Sequence, residues 1–478
     1  MHRTDYRVIQ TRRHFFRYCG GGIEAAALAY LLGASARGTV AARAADGPLT
    51  PRPPHFAPTA KSVIFLLMAG APSQIDLYDP KPALQRWDGQ PLPESMTKDL
   101  SLAFVKPSAK VLASPRVFRR HGQSGTKFSD YIPHIGARAD DICLVRSMHT
   151  EAFNHHPGQS LLMSGSVQLG RPTVGAWVSY GLGSESENLP AFVVLSSGRG
   201  ASGGSSNWSN GFLDSNYQGV VFRNAGEPIL YLKNPAGVSD RTQRARLDAI
   251  RNLNRERLEA TGDTEIASRI QSYELAFRMQ AAAPELLDFT GESQATLDMY
   301  GVGREPTHPY ATNCLLARRM VEHGVRFVML AHASWDDHQE IDRKLGKNCQ
   351  ITDQPVGALL KDLKRRGLLD STLVVWAGEF GRTPMGQLER VDEAAGRDHH
   401  AKCFSAWMAG GGVRGGQVIG RTDELGLGIV EDPVHIHDLQ ATMLHALGLD
   451  HERLTYRHMG RDFRLTDVGG SVVPGILS

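Results

Sequence analysis

Between Leu373 and Gly416 the chain twice makes a short apolar run and breaks it with glycine and charge. Leu373–Ala377 is followed by Gly378-Glu379-Phe380-Gly381-Arg382, and Cys403–Met408 is preceded by Asp398-His399-His400. Apolar runs of this length, bounded by glycine-rich turns, predict buried strands. In an open α/β sheet, ligands bind beyond the carboxyl ends of the strands. That position is where Glu379 falls. Carboxylate mixed with imidazole suits zinc, manganese or iron better than calcium or magnesium alone. The stretch therefore predicts a divalent metal site on the loops of an α/β domain, against the plainer alternative of a solvated histidine loop.

The same arrangement recurs along the chain. Ser62–Met68 reads as a buried central strand ending in a small-residue turn with Ser73, Gln74 and Asp76. Ile142–Val145 predicts a strand that leads to His149, His155 and His156, with a helix starting near Pro157. Proline favours the first helical turn, and a helix N-terminus attracts anions such as phosphate or sulfate. Val325–Leu330 predicts a strand followed by His332, Asp336, Asp337 and His338. Ala191–Leu195 predicts another, with a Gly/Ser-rich loop around Asn207, Trp208 and Asn210 after it. Helical patterns lie at Cys314–His323, Asp353–Arg366 and His435–Leu447, and residues 80–130 read as an irregular loop on the substrate side. Strands and helices alternate with connections long enough for parallel crossovers. The expectation is one α/β domain over residues 61–478 with an extended lead-in at 45–60. Charged amphipathic helices over about 239–283 form an insertion outside the sheet. GxxxxGK[ST] does not occur, which excludes nucleotide binding by that device.

Charge narrows the partners. Residues 1–44 carry seven arginines and two acids, and without them the formal charge falls from +3 to −2. A nucleic-acid partner then has no electrostatic support. Arg12-Arg13 begins a twin-arginine pattern, followed by a mildly apolar run and by the cleavage-like Ala42-Arg43-Ala44. Residues 1–44 thus read as an export signal, which predicts a periplasmic or secreted chain. No run of about 18 uninterrupted apolar residues predicts a membrane span. Four cysteines lie beyond this segment. Cys143 and Cys403 read as buried thiols, and Cys314 and Cys349 are free to pair or not in an oxidising compartment.

In combination, MAGAPSQIDLYDPKP, HHPGQSLLMSG, WDDH, VVWAGEFGRTP and GRDHH resemble the exported DUF1501 family across essentially the whole chain after the signal. That family is similar to the alkaline phosphatase and sulfatase superfamily. The resemblance implies a mostly parallel α/β sheet flanked by helices and a metal site that hydrolyses phosphate or sulfate esters. Glu379 and Gly381 match the aspartate and glycine of the superfamily's Asp-His-Gly turn, with Phe380 at the histidine. His399 or His400 resembles the late histidine ligand. Asp76 matches the first-strand aspartate, and Asp336, Asp337 or His338 the middle group. The resemblance thus implies Asp76, Asp337, His338, Glu379, Asp398, His399 and His400 as candidate metal ligands. His155, at the nucleophile position, or His156 would transfer a proton or accept a phosphoryl group. Ser73, Gln74 and Arg382 would bind the anion, Arg382 through its fork. The implied partner is a small-molecule or glycan anionic ester. The alternative is a non-catalytic binding or structural protein on the same fold.

Overall fold

Ser62–Ala69 (β1) is buried along its whole length, so it must lie inside a sheet covered on both faces. The computed structural model describes residues 48–97, 103–106, 108–198, 200–223, 229, 232–387 and 392–478. The chain divides into the units Met1–Pro48 and Leu49–Ser478, and the expected export signal lies outside the described residues. In the second unit β1 is flanked by Phe327–Ala333 (β5) and Thr372–Ala377 (β6), both parallel to it. Ile142–His149 (β2), Phe192–Gly198 (β3), Val220–Phe222 (β4), Phe404–Ala409 (β9), Val418–Ile419 (β10) and Val434–His435 (β11) complete a nine-stranded sheet. Its order is β10-β2-β9-β6-β1-β5-β3-β4, with β11 also on β2. Among the described strands of this sheet, only β9 runs antiparallel to its neighbours. The sheet is therefore mostly parallel, and helices cover both faces.

Alternation along β1, which leads into the short helix Gln74–Leu77 (α1), divides the core. Val63, Phe65 and Leu67 join one apolar cluster, with Leu161 and Leu162 of His155–Ser164 (α2), Trp177 of Val174–Leu182 (α3) and Leu439 of Ile436–Ala446 (α8). Ile64, Leu66 and Met68 join the other, with Leu315 of His308–Glu322 (α6) and Leu359 of Ile341–Arg365 (α7). The helix expected at Asp353–Arg366 starts twelve residues earlier, its first half masked in the sequence by charge and Gly346. Likewise β2 extends to His149, because polar residues continue a strand that its apolar half begins.

The charged helices expected over about 239–283 are a pair, Asp240–Thr261 (α4) and Thr264–Leu287 (α5). Ser239 caps α4 by accepting from the Thr242 amide, and α4 buries no residue. On α5, Met279, Ala283 and Leu286 reach the core. Cys143, Cys314, Cys349 and Cys403 are free buried thiols, so Cys314 and Cys349 do not pair. No helix among the described residues is long and apolar enough to cross a membrane.

Register brings three strand ends together. Met68 of β1 pairs with His332 of β5, and Leu67 with Ala377 of β6. Gly70, Asp336 and Glu379 therefore leave the sheet at one edge. A short hairpin, Gly381–Gly386 (β7) with Arg397–His400 (β8), follows β6 and packs there. The hairpin occupies the polar stretch between the two apolar runs. The hairpin escapes sequence reading because β7 is polar and carries Pro384.

Candidate metal centre

Four side chains converge at this edge. His155 at the start of α2, Asp336 and His338 in the loop after β5, and His399 on β8 place one ligand-type atom each within 4.8 Å of one another. Asp336 Oδ1 is the hub. It lies 2.8 Å from His338 Nε2, 3.0 Å from His155 Nε2 and 3.4 Å from His399 Nε2. Arg382 Nη2 donates to the same oxygen at 2.6 Å.

Each imidazole is anchored through its other nitrogen. His155 Nδ1 is 2.7 Å from Glu379 Oε1, and His399 Nδ1 is 2.6 Å from the Phe153 carbonyl oxygen. His338 Nδ1 meets the Gln387 side-chain carbonyl. All three partners are acceptors, so all three Nδ1 atoms carry the proton. Each Nε2 then faces Asp336 and offers its lone pair there once it is unprotonated, which is how outer partners prepare histidines for a metal. His155 Nε2 is buried without an aligned hydrogen bond despite its closeness to Asp336. Three imidazoles and one carboxylate suit zinc, iron or manganese. The residues present therefore fit a divalent ion.

Glu379 is fully buried. Its carboxylate accepts from the Gly70 amide at 3.0 Å and from Gln159 Nε2 at 2.9 Å, besides meeting His155. It orients His155 rather than joining the cluster. Phe380 packs its ring 5.0 Å from His155 and 4.6 Å from His399, walling the cluster with an apolar face. Burial opposes charge on His155, but Asp336 and Glu379 outweigh it and raise its pKa to about 9. Burial likewise opposes ionisation of Asp336, and the three imidazoles with Arg382 overcome it, holding that carboxyl well below its usual range. The site favours a cation at the point where the Nε2 atoms meet.

Of the seven expected ligands, His338 and His399 are in the cluster. The others are engaged elsewhere. Asp76 is paired with the buried Arg397, whose Nε and Nη2 reach its two oxygens at 2.8 and 3.1 Å. Asp398 accepts from the amides of Phe104 and Val105. Neighbouring strand residues face opposite sides, which turns His400 away from the side of His399. Burial lowers the His400 pKa to about 4. Asp337 is buried, and burial raises its pKa to about 7 against the pull of Arg382 and Lys344. Its neighbour Asp336 is the carboxylate of the cluster. The i, i+2 spacing of Asp336 and His338 was the available signal, since both can then project to one side.

The expected anion binders are also committed. Arg382 is fully buried and donates to the Gly70, Ala71 and Arg397 carbonyls as well as to Asp336. Gln74 holds the Arg382 backbone through two hydrogen bonds of 2.8 Å. Ser73 donates to Asp76 at 2.5 Å. His156 is exposed, 3.5 Å from Ser206 Oγ.

A sequence profile of DUF1501, a family described as a protein of unknown function, matches residues 60–477. The chain belongs to the DUF1501 family. No curated protein matches it significantly. Solved structures similar to this DUF1501 chain include the PsFucS1 sulfatase from Pseudoalteromonas sp., at 12% identity and TM-score 0.36 over 84% of this chain and 69% of that one. A protein in the alkaline phosphatase superfamily from Vibrio parahaemolyticus matches at 10% identity and TM-score 0.34, over 84% and 70% of the two chains. The phosphonate monoester hydrolase SpPMH from Silicibacter pomeroyi matches at 11% and 0.33, over 81% and 73%.

Proposed function

We propose that this DUF1501 chain is an exported, metal-dependent hydrolase of phosphate or sulfate esters. The observation that carries the reading is the shared preparation of His155, His338 and His399, each anchored at Nδ1 and each turning Nε2 toward Asp336. A divalent ion held there, zinc or manganese in the first instance and iron as the third choice, would polarise an ester oxygen and acidify water at neutral pH. The chain's own groups have separate parts. Glu379 and Gln159 keep His155 in one tautomer, and Arg382 holds the Asp336 carboxylate still. His156 stands exposed next along α2, free to pass a proton to solvent. The α2 N-terminus favours the anionic end of an ester.

One observation favours a second reading, a binding protein on this fold. Arg382 spends its guanidinium inside the protein and leaves no fork for an anion. The test is an ester panel assayed with chelator-stripped protein and with protein reloaded with zinc, manganese or iron. The hydrolase reading expects turnover that needs metal and is lost in Asp336→Ala. Loaded protein inert toward both ester classes would leave the binding reading. Export by the twin-arginine route belongs to the proposal, and replacing Arg12 and Arg13 with Lys should retain the chain in the cytoplasm on fractionation.

A further inference from the structure

Two phenyl rings stand exposed at the rim of the cluster. Phe104 is 56% and Phe153 46% exposed, and their rings meet edge to face at 6.2 Å. The Phe104 ring also lies edge-on to the His399 imidazole at 5.4 Å. Both backbones are tied to consecutive residues of β8. The Phe153 carbonyl accepts from His399 Nδ1, and one oxygen of Asp398 accepts from the Phe104 and Val105 amides at 2.7 and 2.9 Å. Asp398 is fully buried, and a buried carboxylate is costly unless satisfied. Here it holds an exposed apolar ring beside the metal residues. Phenyl rings carry no polar atom, so the rim offers dispersion and π contact without hydrogen bonds. That suits a flat apolar ring better than a hydroxyl-rich sugar.

We infer that Phe104 and Phe153 seat the aryl portion of an ester whose anionic end lies at the His155, Asp336, His338 and His399 cluster, which makes aryl phosphates or sulfates the preferred class. The inference rests on the ester reading above. It is tested without turnover, by calorimetric titration of the zinc-loaded chain with phenylphosphonate and with methylphosphonate. The wild type should bind the phenyl compound about tenfold more tightly, the size of one good aromatic contact. The Phe104→Ala, Phe153→Ala double variant should lose that ratio while keeping its zinc content and thermal midpoint. Equal binding of both compounds by the wild type would overturn the rim and leave the ester reading standing. If neither compound binds, the ester reading falls and the rim falls with it. A ratio that survives in the double variant, or a preference for a sugar phosphate over phenylphosphonate, would also overturn the inference.

Discussion

His155 shows most clearly how contacts set chemistry. Its Nδ1 is committed to Glu379 and its Nε2 is buried facing Asp336. Outer partners of this kind contribute about 10- to 100-fold in metal affinity. Glu379→Gln should therefore weaken zinc binding by about that factor, measured by competition with a chromophoric chelator, while the fold persists. With its pKa raised to about 9, His155 must lose a proton before it binds a cation. Apparent affinity should rise with pH up to about 9, by at most about tenfold per unit from this group. Asp76 makes the opposite prediction. Removing one partner of a buried ion pair costs about 3–5 kcal/mol. Arg397→Leu should lower stability by that order on chemical denaturation, with metal content per folded chain unchanged. Metal lost from a folded Asp76→Asn variant would restore Asp76 as a ligand.

Among the elements, the loop from Ser334 to His338 is held at close quarters. Gly70 has φ +115°, and a Cβ there would sit 2.6 Å from the Asp336 amide nitrogen. A Cβ on Gly396 would sit 2.1 Å from the His338 carbonyl carbon. The end of β1 and the approach to β8 thus clasp the loop from two sides, each at a residue without a side chain. Gly70→Ala should displace Asp336 and lower both metal affinity and the melting temperature, read by chelator competition and by thermal unfolding. Sequence reading located these loops well, because an apolar run that stops at glycine reports a strand end directly. It did not locate the hairpin of β7 and β8, whose polar residues gain strand geometry from partners far off in the sequence or across a turn. The choice of His399 over His400, and of Asp336 over Asp337, was also out of reach. Both depend on which way a side chain turns, decided for the histidines by alternation along β8 and for the aspartates by the course of an irregular loop. Glu379 was found by position, but its role depends on His155, far away in sequence.

Across the whole molecule, the mostly parallel sheet and the two charged helices α4 and α5 were legible because buried strands and amphipathic helices carry distinct periods. The pairing of Asp76 with Arg397 was not, since two charges far apart in sequence give no sign of meeting. Burial also sets how the molecule answers to acid. His332 and His400 each have a pKa lowered to about 4 by burial, below the value near 6.5 of an unfolded histidine. The folded chain keeps them neutral, so their contribution is present above about pH 6.5 and is lost as pH falls toward 4. Each should cost about 1.4 kcal/mol per pH unit in that window, visible as denaturation midpoints that fall across it. The claim on which the account turns is that His155, Asp336, His338 and His399 hold a divalent ion. Elemental analysis of the folded chain, purified without chelator beside an Asp336→Ala, His338→Ala variant, tests it most directly. Zinc, manganese or iron close to one per chain in the wild type and absent from the variant is the predicted result. A metal-free wild type that stays folded and gains no thermal stability from any of the three ions would contradict it.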